Sequence, residues 1–103
     1  MFVALYEMTA KPGHEDELER AWAEWTDAIF RVRGSFGSRL HKSETPRMYI
    51  AYAQWPSREV YENVGSGFTD AEKEASVRMR ESLELNKTVY LLEVCNDRLK
   101  PIH

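Results

Sequence analysis

The run Met48-Tyr49-Ile50-Ala51-Tyr52-Ala53-Gln54-Trp55-Pro56-Ser57 narrows the choice of fold more than any other stretch of the chain. Neighbouring side chains on a strand point to opposite faces of the sheet. One face therefore carries Tyr49, Ala51, Ala53 and Trp55, the other Met48, Ile50, Tyr52 and Gln54, and neither is built for water. A chain of 103 residues reads as one domain over 1–103, with a real core but only enough helix to cover one side of a sheet. The second cover has to come from another molecule.

The remaining elements follow from changes of period. Phe2 to Thr9 alternates Phe2, Ala4, Tyr6, Met8 with Val3, Leu5, Glu7, Thr9, and reads as a strand ended by Lys11-Pro12-Gly13. From His14 the spacing becomes helical: Leu18, Trp22, Trp25, Ile29 and Val32 share a side with Ala21 and Ala28, giving about five turns. Glu15, Asp16 and Glu17 suit the positive end of that helix, and Gly34 closes it. Phe36 to Ser43 forms a second strand, joined through Glu44-Thr45-Pro46-Arg47 to the third as a hairpin. Pro56 stops the third strand and Ser57 caps a short helix carrying Val60, Tyr61 and Val64, interrupted by Gly65-Ser66-Gly67. Thr69-Asp70-Ala71-Glu72 is a capping box for a helix expected to run to about Leu85. Lys87 to Cys95 reads as the last strand and Asn96 to His103 as a polar tail.

Strand, helix, strand, strand, helix, strand is the ferredoxin-like α+β arrangement, a four-stranded antiparallel sheet with both helices on one face. The bare face, carrying Val3, Leu5, Ile50 and Tyr52 or else the equally apolar alternative set, is too large for a monomer to expose. It implies a homodimer formed through the sheet face. A net charge of −3 and the lack of a basic stripe argue against nucleic acid or an anionic membrane as partner. No apolar stretch approaches the roughly 20 residues that span a bilayer, no secretory pattern opens the chain, and the lone Cys95 reads as a small core residue of a reducing compartment. Cytoplasm is the expected location.

Lys11-Pro12-Gly13-His14-Glu15 leading into the first helix, Gly34-Ser35-Phe36-Gly37-Ser38-Arg39-Leu40-His41 leading the second strand, and Ala51-Tyr52-Ala53-Gln54-Trp55-Pro56-Ser57-Arg58-Glu59 resemble the antibiotic biosynthesis monooxygenase domain of the dimeric α+β barrel superfamily. That resemblance covers nearly the whole chain. It implies two subunits joined as a dimeric α+β barrel, with a ligand cavity in each between sheet and helices. It also implies cofactor-independent oxidation of an electron-rich phenolic or quinol-like compound, whose own anion supplies electrons to dioxygen. The same fold hosts haem-degrading enzymes, isomerases and proteins without known activity. Haem degradation, as the resemblance describes it, needs an asparagine on strand one and a tryptophan and an iron-binding histidine on helix two. Tyr6 stands at the strand-one position, and no histidine or tryptophan occurs between Ser57 and Leu85.

The resemblance points to Tyr6, Trp22, Trp25, Trp55 and Tyr61 as cavity lining, and Tyr6 and Tyr49 or Tyr52 carry phenols that can hydrogen-bond a substrate or an oxyanion, so that Trp22, Trp25, Tyr52, Trp55 and Tyr61 are the substrate-binding candidates beside Tyr6. Arg39 and His41 are two apart on one strand and so share a face, where they could offer a cation and a titratable base to one ligand; with Tyr6 they form the candidate catalytic set. The bland reading of all eight is core, rim or solvated edge. Convergence of Tyr6, Trp55, Arg39 and His41 on one cavity separates an enzyme from a non-catalytic ligand-binding or accessory dimer. No metal-ligand spacing, phosphate loop or Gly-x-Gly-x-x-Gly turn occurs, so the sequence indicates no metal, nucleotide or flavin.

Overall fold

In the computed structural model residues 1–100 are described, and the far end of the tail expected over 96–103 lies outside them. The elements run β1 (Phe2–Ala10), α1 (Glu15–Arg33), β2 (Gly37–Lys42), β3 (Met48–Trp55), α2 (Arg58–Glu62), α3 (Asp70–Glu81) and β4 (Leu83–Glu93). The strands form one sheet in the order β2-β3-β1-β4 with every neighbour antiparallel, the predicted ferredoxin-like α+β arrangement.

The register decides which apolar face goes inward. Phe2 lies opposite Trp55, Ala4 opposite Ala53, Tyr6 opposite Ala51 and Met8 opposite Tyr49. All but Tyr6 are buried, and all eight belong to the two core clusters or pack against them. Leu18, Ala21 and Ala28 of α1 and Ala75 and Met79 of α3 are buried with them. One cluster gathers Met8, Leu18, Ala21, Tyr49, Ala51 and Met79; the other gathers Phe2, Ala4, Ala53 and Trp55 at the opposite end. Tyr6 touches both.

Local signals set the helix ends. Gly34 takes the left-handed conformation (φ 75°) that closes α1, a position where a Cβ would be strained. The Ser57 hydroxyl accepts from the Val60 amide at 3.2 Å. Thr69 Oγ1 accepts from the Glu72 amide at 3.1 Å while the Glu72 carboxylate accepts from the Thr69 amide at 2.7 Å, completing the capping box.

Three expectations are corrected. The short helix stops at Glu62, leaving Val64 exposed. The last helix ends at Glu81, not near Leu85, because pairing with β1 captures the next residues: Leu83 lies opposite Ala10, Leu85 opposite Thr9, and the Ser82 carbonyl accepts from the Lys11 amide at 2.9 Å. Leucine suits a helix as well as a strand, but the sheet edge offers backbone partners that a longer helix would forgo. Cys95 lies past the end of β4 and is exposed, not a core residue.

Val3, Leu5, Ile50 and Tyr52 turn away from the helices, with Tyr90 and Leu92 of β4 beside Leu5 and Val3. Beyond Leu83 the edge strand β4 is exposed on both faces, with Tyr90 at 60% and Leu91 and Leu92 at about 40% exposure. No helix among the described residues is long and apolar enough to cross a membrane.

Replacing the fully buried Leu18 with Ala should cost about 2–5 kcal/mol of unfolding free energy. Thr69→Ala, which removes one half of the capping box, should cost about 1 kcal/mol. Denaturant titration of both variants checks the contrast; a Thr69→Ala loss as large as that of Leu18→Ala would mean that the two helices do not share a core in the manner described.

Candidate functional site

A cavity of about 220 Å³ opens at the seam between the two core clusters. Its cause is a mismatch of side-chain size. Ala51 and Ala53 on β3 leave a low floor, while Trp22, Trp25, Thr26, Ile29 and Arg33, recurring at helical steps along α1, form the wall above it. Tyr6 and Met8 of β1, Met79 of α3 and Trp55 at the end of β3 complete the apolar lining. Ser35, Ser38 and Asn86 add small polar groups, and no lining residue is acidic.

Tyr6 donates a long hydrogen bond of 3.5 Å to the Tyr61 hydroxyl. Burial, with that bond second, holds the Tyr6 phenol well above its usual range, although Arg33 pulls weakly the other way. At neutral pH Tyr6 is consequently a neutral donor and not a base. Tyr61 meets Trp55 edge to face at 5.5 Å and Phe2 at 5.2 Å, which fixes the phenol that Tyr6 bonds to. The Arg33 guanidinium lies 4.8 Å from the centre of the Trp55 ring. It donates through Nε to the Asn63 carbonyl at 3.1 Å and through Nη2 to the Tyr61 carbonyl, tying the end of α1 to the C-terminal end of α2.

Of the residues singled out by sequence, Tyr6, Trp22, Trp25 and Trp55 line this cavity, and Tyr61 stands behind Tyr6. Arg39, His41 and Tyr52 do not reach it, contrary to the expected convergence. Arg39 pairs with Tyr52 and His41 with Ile50 in the sheet register, so these side chains belong to the open face, on the far side of the sheet from α1. Arg39 and His41 do share a face, as spacing requires, but it is the wrong one for the cavity. His41 Nδ1 lies 3.0 Å from the Ile50 carbonyl and its ring is exposed.

Arg33, Thr26, Ser38 and Asn86 are cavity residues that the sequence reading passed over. Thr26 and Arg33 fall on the stripe of Trp22, Trp25 and Ile29, so a wall read by spacing alone would have included them. Asn86 was hidden by the overlong last helix, since only the pairing of Asn86 with Met8 turns it inward. Among the described residues no group of three or more His, Cys, Asp or Glu side chains is placed to hold a metal ion.

A profile of the family described as antibiotic biosynthesis monooxygenase matches residues 1–64. Solved structures of similar fold include SnoaB, a cofactor-independent oxygenase from Streptomyces nogalater, at 14% identity over 96% of this chain and 97% of that one, with a TM-score of 0.74. Candidate antibiotic biosynthesis monooxygenases from Bordetella bronchiseptica (20% identity, 92% and 97% of the two chains, TM-score 0.73) and Caulobacter crescentus (16%, 92% and 90%, TM-score 0.72) are similar in the same way. At such identities the likeness is one of fold. No curated protein matches the chain.

Tyr49, buried beside the cavity floor, donates to Glu19 Oε2 at 2.8 Å, and burial together with that bond pushes its phenol up to about 12. The folded state therefore keeps a proton that the unfolded chain releases near the ordinary phenol value of 10, and stability should fall as pH rises from about 10 to about 12. Unfolding free energies measured across that window should decline less steeply for Tyr49→Phe than for the wild type. An equal slope would remove Tyr49 from the account.

Proposed function

Since the chain belongs to the antibiotic biosynthesis monooxygenase family, we propose that it is a cofactor-independent monooxygenase acting on a small phenolic or quinol-like aromatic compound held in the α1 cavity. The observation that carries this reading is the cavity itself: an alanine floor, tryptophan walls and one neutral phenol donor, sized for a compact flat ring system. Trp22, Trp25 and Trp55 supply apolar surface that positions the ring, and Tyr6 offers its hydroxyl hydrogen to an oxygen of the substrate in exchange for the long bond to Tyr61.

In such a reaction the ionised ring supplies the electrons. When a ring CH2 becomes C=O, one dioxygen takes up the four electrons lost; one oxygen atom remains as the carbonyl and the other leaves as water with the two hydrogens. The protein's part is to orient the ring, exclude water and bear the negative charge on the ring oxygen.

The subunit in this reading is half of a homodimer closed through the open sheet face, which supports the assignment of Arg39, His41 and Tyr52 to an interface and not to the reacting centre. The apolar, doubly exposed strand β4 supports the same pairing. A second reading, a ligand-binding or accessory dimer without turnover, is favoured by two features: Arg39 and His41 do not converge with Tyr6 and Trp55 on the cavity, and no His, Asp or Glu lines it to act as a base.

Dioxygen uptake by the purified protein with hydroxylated anthrones, naphthols and hydroquinones separates the two. Turnover that requires the protein, reduced about tenfold in Tyr6→Phe, is the expected result, tenfold being the rate equivalent of roughly 1.4 kcal/mol for one hydrogen bond. Binding of panel members without uptake would establish the accessory reading instead. For the dimer, Tyr52→Asp should convert the protein to folded monomers in sedimentation velocity; a variant that stays fully dimeric would sink the sheet-face interface.

A further inference from the structure

Arg33 is a charge without a counter-charge. Arg20, Arg31, Arg47, Arg58 and Arg78 each meet a carboxylate, whereas Arg33, Arg39, Arg80 and Arg98 meet none among the described residues, and of these four only Arg33 is not exposed. It is nevertheless half-buried, and it lines a cavity that contains no acidic residue. Its protein partners are two main-chain carbonyls, reached through Nε and one hydrogen of Nη2, so three of its five N–H hydrogens remain. A partly desolvated cation in an apolar pocket is a standing cost unless something negative comes to it.

A second observation lies at the same end of the cavity. Trp55, whose ring Arg33 covers, is 3% exposed, and its Nε1–H is buried without a hydrogen-bond acceptor among the described residues. Buried indole N–H groups usually find a partner. Two donor groups in contact, a cation with N–H hydrogens to spare and no counter-charge and a neutral indole N–H with no acceptor, ask for an oxygen that carries negative charge.

We propose that Arg33 is the residue that selects the ionised form of the ligand, so that the cavity is a receptor for a flat aromatic anion whose charged ring oxygen lies toward Arg33 with Trp55 Nε1 as a second donor. The proposal rests on the cavity reading given under Proposed function and supplies what that reading lacks. With no base in the lining, the cavity promotes loss of the phenolic proton to solvent by stabilising the phenolate left behind. The titratable groups around Arg33 do not compete for it: Tyr6 stays protonated through neutral pH, and Tyr61 faces it with a carbonyl. The closeness of Gly65, where an added Cβ would lie 3.1 Å from Arg33 Cγ, keeps the arginine stem packed between α1 and the segment after α2.

The probe is 4-nitrophenol, whose yellow phenolate and near-colourless phenol are distinguished by visible absorbance, with binding followed independently by quenching of tryptophan fluorescence. Saturating wild-type protein should lower the probe's apparent pKa by about one unit, a tenfold preference for the phenolate. In Arg33→Gln the shift should vanish or reverse, because apolar burial alone favours the neutral phenol. Arg33→Lys, which restores charge, should recover the direction of the shift. Binding by the wild type with an unchanged or raised probe pKa would overturn the role of Arg33 while leaving the cavity reading intact, as would a full downward shift in a folded Arg33→Gln. Absence of any quenching at high probe concentration would overturn the cavity reading and this inference together.

Discussion

The antiparallel pairing of β1 with β3 sets Phe2 against Trp55, Ala4 against Ala53 and Tyr6 against Ala51, and the cavity and core inherit their positions from that register. A slip of one residue would turn Val3, Leu5, Ile50 and Tyr52 toward α1 and send the alanine floor to the other side. The pairing is well specified because only one of the two sets leaves room for the helix tryptophans. Large residues at both ends of the strand, Tyr49 and Trp55, anchor the two core clusters, and the small ones between them leave a space that Trp22 and Trp25 border and do not fill.

That space has an uneven electrostatic character. Its walls are apolar, its one phenol is held neutral by burial, and its single charge is Arg33 at the end of α1. A helix C-terminus is a favourable place for a cation, which accounts for Arg31 and Arg33 in the last turn of α1 without reference to any ligand. It does not account for the guanidinium of Arg33 lying over the Trp55 ring and lining a cavity with no acid, when Arg31, two residues earlier, is satisfied by Glu72. The difference between these neighbours comes from the helical repeat: two residues are about 200° of rotation, so one side chain faces α3 and the other the cavity.

Much of the architecture was legible because it depends on local chemistry. The strand–helix alternation, the Ser57 cap, the capping box at Thr69 and Glu72 and the left-handed Gly34 are all signalled within a few residues of where they act. The boundary between α3 and β4 was not, because Leu83 and Leu85 suit either element and their partners, Ala10 and Thr9, lie more than seventy residues away. The aromatic lining was legible as a helix stripe, whereas Arg39 and His41 were read correctly as neighbours on one face and wrongly as neighbours of Tyr6.

By itself, then, the sequence determined the class of fold, the helix caps and the two-faced nature of β3, since each follows from residue type and spacing along one element. The tertiary structure alone decided which face of the sheet became the floor, that the polar pair on β2 turned away from it, and that Arg33 and Asn86 turned in. The physical reason is that alternation along a strand fixes which side chains travel together but not the direction they face. That direction is settled only when the packing of α1 against β3 shows which of two apolar sets can accommodate its tryptophans.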